Sequence, residues 1–264
     1  QSLNITVSDP QRTFSFVQSG ENKGITFSNF IVTIEKDTRV PEASQEIFTT
    51  ATSSDIPYRI PAIAMAKNGD LIAVADYRHS RADIGMATNG RIDLRARISK
   101  DNGETWGEIF DIIQGKGAAG IDASNNDMYV GFGDPAIVAD RESNRVLVLS
   151  CAGNVSFPSG TRNNHQNIAR FYSEDNGVTW SKPVQIVRDD SGAPGHLFMH
   201  SSGTLISTFS HRSKPYGIWA IFSDDNGETW STPYPSGYTS QRSPMSARRL
   251  KSGKTIVVWN PVPT

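Results

Sequence analysis

The segment DIPYRIPAIAMAKNGDLIAVADYRHSRADIG, residues 55–85, brings together three side chains able to handle an anion: Arg59, Arg78 and Asp83. A guanidinium is a planar fork of N–H donors that meets a carboxylate through two parallel hydrogen bonds. An aspartate in a loop can exchange protons with a bound molecule, or can simply be a solvated loop residue. Arg59 could equally be a surface arginine at a strand start, although Pro57 and Pro61 fix the backbone on either side of it. Arg81 competes with Arg78 for any role beside Asp83. Asp134, in GFGDPAIV, is a further candidate, with a turn aspartate before proline as the plain alternative.

Other polar side chains point less clearly to chemistry. His196 and His200 have the i, i+4 spacing of a helical metal pair, but their context is strand and turn, and no Glu lies between them. No metal is expected there, and His165 reads as a loop residue. Met128, Tyr129 and Phe132 suit either an apolar pocket or a core strand, with core favoured. The single cysteine, Cys151, lies in the apolar run RVLVLSCAG and reads as a small core residue; no internal disulfide can form.

The elements that position these residues are repeated. SKDNGETW (99–106), SEDNGVTW (173–180) and SDDNGETW (223–230) are copies of Ser-x-Asp-x-Gly-x-Thr-Trp, with starts 74 and 50 residues apart. A period near 50 is that of propeller blades, and the glycine-rich 115–127 reads as a loop insertion in the longer gap. Each copy follows a turn, a strand, a loop and a second strand: LIAVADYR then IDLRARIS, RVLVLSCAG then QNIARFYS, LISTFSHR then YGIWAIFS. Their alternation, turn signals and lack of helical period predict an all-β architecture. Ser and Asp of the motif can bond turn amides, Gly103, Gly177 and Gly227 supply positive φ, and Trp106, Trp180 and Trp230 return to the core. The motif is therefore expected to make the fold and not the chemistry. A fourth prelude, KSGKTIVVWN, begins at residue 251.

Bulk properties narrow the class. The chain has 264 residues, a formal net charge of −1 and a pI near 6.6. No basic face announces nucleic acid, and no run of about eighteen apolar residues predicts a membrane-spanning helix. QSLNITVSDPQ at the start lacks the charged and apolar regions of a signal peptide.

YRIP, an aspartate about two dozen residues on, and Ser-x-Asp-x-Gly-x-Thr-Trp turns together resemble the exo-sialidases (neuraminidases) of the bacterial and animal type. The resemblance covers roughly residues 45–230. It implies an all-β, six-bladed β-propeller with the site at its central mouth and the Asp-box turns away from it. Of the six blades this chain accounts for about four to five. Residues 1–45 would form closing strands or part of an appended β module, and 46–264 a sialidase-like propeller, whole or truncated at its C-terminal end.

By the same resemblance, Arg59 is the first of three arginines that clamp the substrate carboxylate. Arg78 lies near the sugar's 4-position and the carboxylate, Asp83 is the general acid/base, and Asp134 contacts the 4-hydroxyl. The implied partners are sialylated glycans, with no cofactor, and the implied location is secreted or periplasmic. The family also uses a tyrosine nucleophile, which escapes the repulsion a carboxylate nucleophile would meet from the sialic acid carboxylate. Its glutamate base would be sought near Ser243 and Pro244, where this chain has none. Glu142, Glu174 and Glu228 are poor substitutes, and Tyr216, Tyr234 and Tyr238 lack a matching context. Arg212, Arg242, Arg248 and Arg249 could complete the clamp. The competing expectations are a non-catalytic glycan-binding propeller and a purely structural repeat scaffold.

Overall fold

The computed structural model describes residues 44–49, 56, 58–86, 91–117, 127–156, 166–187, 191–200, 202–211, 217–239, 245–250 and 252–259. The N-terminal segment 1–45, apart from its last two residues, lies outside them, as do Arg212, Tyr216, Arg242, Ser243, Pro244 and His165. Glu46–Thr264 forms one compact unit.

Among the described residues, fourteen strands fold into consecutive antiparallel meanders. The first sheet is β1 (Arg59–Met65), β2 (Leu71–Arg78), β3 (Ile92–Ser99) and β4 (Phe110–Ile113). The second is β5 (Phe132–Ala139), β6 (Val146–Ala152), β7 (Asn167–Ser173) and β8 (Val184–Val187). The third is β9 (Ser191–Met199), β10 (Leu205–His211), β11 (Gly217–Ser223) and β12 (Tyr234–Pro235). A fourth contributes β13 (Ser246–Arg249) and β14 (Thr255–Val258). The first strands of successive sheets pack on one another, β1 on β5, β5 on β9 and β9 on β13. This is the arrangement of a β-propeller, with three whole blades and two strands of a fourth among the described residues.

The blades are joined by apolar faces, and strand periodicity decides which face meets which blade. Along β6, Val146 and Val148 join Ile72, Val74 and Leu94 of the first blade. The alternate residues Leu147 and Leu149 join Leu205, Phe209 and Ile221 of the third. A strand covered on both sides favours apolar residues throughout, which is why VLVLSCA is apolar but for Ser150, whose hydroxyl donates to the Cys151 carbonyl at 2.6 Å. Cys151 sits in it, fully buried. Phe132 is fully buried and Met128 and Tyr129 pack against the same core, so their core reading holds.

The three Asp-box turns all join the third strand of a blade to the fourth. In the second copy Ser173 Oγ accepts from Gly177 N at 2.7 Å and donates to Asp175 Oδ1 at 2.7 Å. Asp175 accepts from Thr179 N at 2.8 Å and from Thr179 Oγ1 at 2.6 Å. The first and third copies repeat these bonds. The turn uses two left-handed residues, not one: Asn102, Asn176 and Asn226 join Gly103, Gly177 and Gly227 at positive φ. Each later box leans on the blade before it. A Cβ at Gly177 would sit 2.6 Å from Ile72 Cδ1, and one at Gly227 would sit 3.1 Å from Leu147 Cδ2. Trp180 and Trp230 pack against the corresponding inter-blade cores.

β13 was not foreseen from sequence, where the fourth prelude offered a single strand. It pairs with β14 from Ser246–Val258 to Arg249–Thr255.

Candidate active site

β1 and β2 run antiparallel, so the start of β1 and the end of β2 share one edge of the blade. Arg59 opens β1, Arg78 closes β2, and Asp83 follows in the β2–β3 loop. The Asp-box turns leave the other end of the third strands, so they stand at the opposite edge. Arg59, Arg78 and Asp83 therefore gather at the edge that the fold separates from its fastening turns.

Arg78 is buried and is the hub. Its Nη2 lies 3.0 Å from Asp76 Oδ2 and 3.2 Å from Asp83 Oδ1, and its Nε donates to Asp76 Oδ2 at 3.3 Å. Asp83 is half-exposed, with 48% of its side-chain surface open. Its Oδ1 also accepts the Ile84 amide at 2.9 Å, while Oδ2 has no hydrogen-bond partner among the described residues. Arg81 is exposed, so Arg78 and not Arg81 is the arginine sealed in beside Asp83.

Asp134 enters from the next blade. Its amide donates to Asp76 Oδ1 at 2.9 Å. Its carboxyl is within electrostatic reach of Asp83, Arg78 and Arg59. It is a strand residue held at φ +52°, not an ordinary turn aspartate. Ile60 has the same unusual backbone, φ +50°. Each precedes a proline, and each falls where the ladder breaks, between Arg59 and Ala62 and between Gly133 and Ala136. A left-handed non-glycine residue costs about 1–2 kcal/mol, and such strain persists where the surroundings over-determine it. The paired bulges re-aim the starts of β1 and β5, the two inner strands that carry Arg59 and Asp134. Arg59 is exposed and makes no hydrogen bond or ion pair with the described residues.

Burial governs the proton affinities of the group. Burial, then the Asp134 charge, pushes Asp76 up to about 8 against the opposing pull of Arg78. Burial, then the Asp83 charge, pushes Asp134 up to about 6, with Arg78 and Arg59 pulling it down.

The loop carrying Asp83 is packed. Ile84 is fully buried against Ile92 and Cys151. Gly85, at φ +67°, lies so close to the second blade that a Cβ there would stand 2.4 Å from Asn154 O and Ser156 N. The strand ends flanking the loop are tied by buried Asp93, which accepts from Arg91 Nε at 3.0 Å and Gly115 N at 2.9 Å and meets His79 Nε2 at 2.8 Å.

Sequence reasoning missed Asp76. It lies inside the apolar run LIAVADYR, opposite Arg59 in the ladder, and only its place two residues before Arg78 could have marked it. The other candidates stand apart from the cluster. His196 Nε2 donates to the Ala247 carbonyl at 2.6 Å and ties β9 to β13. Glu174 and Glu228 pair with Arg145 at the Asp boxes. None of the six described tyrosines makes a side-chain hydrogen bond to the cluster, and each has other partners. Tyr58 stacks on Tyr77, Tyr129 meets Phe132 and Tyr172 bonds Arg170. Tyr234 stacks on Phe222, and Tyr238 meets Trp259.

Residues 171–182 and 221–232 match the BNR/Asp-box repeat. A sialidase of Bacteroides fragilis is 29% identical over 166 residues, which is 56% of this chain and 29% of that protein. A sialidase of Micromonospora viridifaciens is 31% identical over 147 residues, 52% of this chain and 20% of that protein. The solved structure of the Hadza microbial sialidase Hz136 is 25% identical and superposes with a TM-score of 0.56 over 76% of this chain and 43% of its own. This chain resembles the sialidases. The intramolecular trans-sialidase from Ruminococcus gnavus, 14% identical, shares the fold with a TM-score of 0.59 over 77% of this chain and 66% of that one. The sialidase-like chain thus spans less than a third of the length of the two curated relatives.

Proposed function

We propose that this chain acts on terminal sialic acid of glycoconjugates, as an exo-α-sialidase working with retention. The observation that carries the reading is the convergence of Arg59, Arg78, Asp83 and Asp134 from two blades at one edge of a sialidase-type fold. Arg59 and Arg78 supply the guanidinium charge for the sugar's carboxylate. Asp83 is the general acid/base: its Oδ1 is held by Arg78 and the Ile84 amide, leaving Oδ2 for proton exchange with the glycosidic oxygen and then with water. Asp134, its proton affinity raised, faces the sugar's 4-hydroxyl.

Binding without turnover is the second reading. It is favoured by one observation: no described tyrosine bonds a member of the cluster, and no described Tyr–Glu pair joins Asp83 there. A fluorogenic sialoside assay with parallel calorimetry against free sialic acid separates the two. The first reading expects turnover that Asp83→Ala abolishes at near-unchanged melting temperature. Sialic acid binding without turnover leaves the second, and neither binding nor turnover refutes both.

A further inference from the structure

Asp76 has no place in the roles assigned above, yet it is the most enclosed group of the cluster, with none of its side chain exposed. Its oxygens are committed to protein. Oδ2 takes Arg78 Nε and Nη2, and Oδ1 takes the Asp134 amide. The fold makes room for it: a Cβ at Gly133 would stand 3.2 Å from Oδ2, a tight fit that glycine avoids. Its hydrogen bonds span two blades and end at the two features any ligand here would meet. One is the Arg78 guanidinium, and the other is the Asp134 peptide held at φ +52°.

Arg78 is left with one unsatisfied nitrogen. Nε and Nη2 are engaged, while Nη1 is buried and has no hydrogen-bond partner among the described residues. A buried guanidinium nitrogen without an acceptor is costly unless a ligand oxygen completes it. Asp76 fixes how the fork is turned, because it holds the guanidinium from its Nε–Nη2 side. Rotating the guanidinium would break both bonds to Oδ2 and would draw Nη2 away from Asp83.

We propose that Asp76 is a positioning residue: it locks the Arg78 guanidinium and the Asp134 peptide into one frame, so that Arg78 Nη2 is held on Oδ1 of Asp83, the half-exposed carboxylate that would meet a ligand. Only the identity of that ligand, an anionic sugar, rests on the sialidase reading. Asp76 itself touches no ligand. Its effect is transmitted through Arg78, as outer-sphere partners act on the groups that meet a substrate.

The test uses Asp76→Asn, Arg78→Met and the double variant, with two readouts. In two-dimensional NMR the Arg78 Nε–H signal, assigned by its loss in Arg78→Met, should be sharp and slow to exchange in the wild type. It should broaden or exchange rapidly in Asp76→Asn. In the sialoside assay, Asp76→Asn should lower kcat/KM about 10- to 100-fold. The double variant should be no worse than Arg78→Met alone, because both remove one pathway. A Nε–H signal unaltered in Asp76→Asn, or additive losses in the double variant, overturns the proposal. A wild type that neither turns over sialosides nor binds sialic acid refutes the sialidase reading, while the NMR comparison still decides the role of Asp76. Should Asp76→Asn not fold, Asp76→Ser gives the same comparison.

Discussion

Gly85→Ala tests whether the loop carrying Asp83 must be packed against the second blade. An added Cβ would stand 2.4 Å from Asn154 O and Ser156 N, whereas ordinary contact begins at 3.4 Å. The obstacle is backbone, which cannot swing aside as a side chain can. The loop must retreat by about 1 Å, the difference of those two distances, and Asp83 is two residues away. A misplacement of about 1 Å costs on the order of 100-fold in rate when it reaches the reacting groups. Stability should fall by about 1–2 kcal/mol for the left-handed backbone at φ +67°, and by a further ~1–3 kcal/mol for overpacking. Gly69→Ala is the control. Gly69 also has positive φ, 91°, but a Cβ there meets nothing within 4 Å, so only the backbone cost applies and activity is kept. The assay is kcat/KM on a fluorogenic sialoside with thermal melts of both variants. Wild-type kcat/KM in Gly85→Ala, with a melting loss equal to that of Gly69→Ala, would refute the reasoning.

Three further outcomes follow from the same geometry. Arg78→Met leaves the buried Asp76 carboxyl without its donors and should cost about 1–3 kcal/mol by chemical denaturation, with the loss larger at pH 8, where Asp76 begins to ionise, than at pH 5. Gly177→Ala should melt lower than Gly203→Ala by the equivalent of about 1–3 kcal/mol, since both have φ near 90° but only Gly177 presses on Ile72. For pH, Asp76 and Asp134 have folded values of about 8 and about 6 against an ordinary 3.8. Between these limits the folded chain holds more protons than the unfolded chain, so stability falls as pH rises from about 4 to about 8. Denaturation midpoints of Asp76→Asn across this range should show a shallower decline than the wild type.

Much of this architecture was legible in the sequence because propeller blades are built from local meanders. LIAVADYR and IDLRARIS are strands β2 and β3 residue for residue, since their apolar runs are bounded by turn signals and by the Asp box. The inner strands were harder. β13 reads SARR, with no apolar alternation, because only Ala247 is buried while its neighbours are exposed. Arg59, Arg78, Asp83 and Asp134 were singled out through the family resemblance, and the fold brings them within electrostatic reach of one another. Asp76 was not, because its burial is imposed by a glycine and an amide 57 and 58 residues away, on another blade. The left-handed backbone at Ile60 and Asp134 likewise left no trace beyond the proline that follows each.

The central claim is that this cluster cleaves sialosides with retention, with Asp83 as acid and base. Proton NMR of the first sialic acid released from a sialylated glycan tests it most directly. The account predicts that the α-anomer appears first and mutarotates later, with no release by Asp83→Ala. First appearance of the β-anomer, or release undiminished in Asp83→Ala, would contradict it.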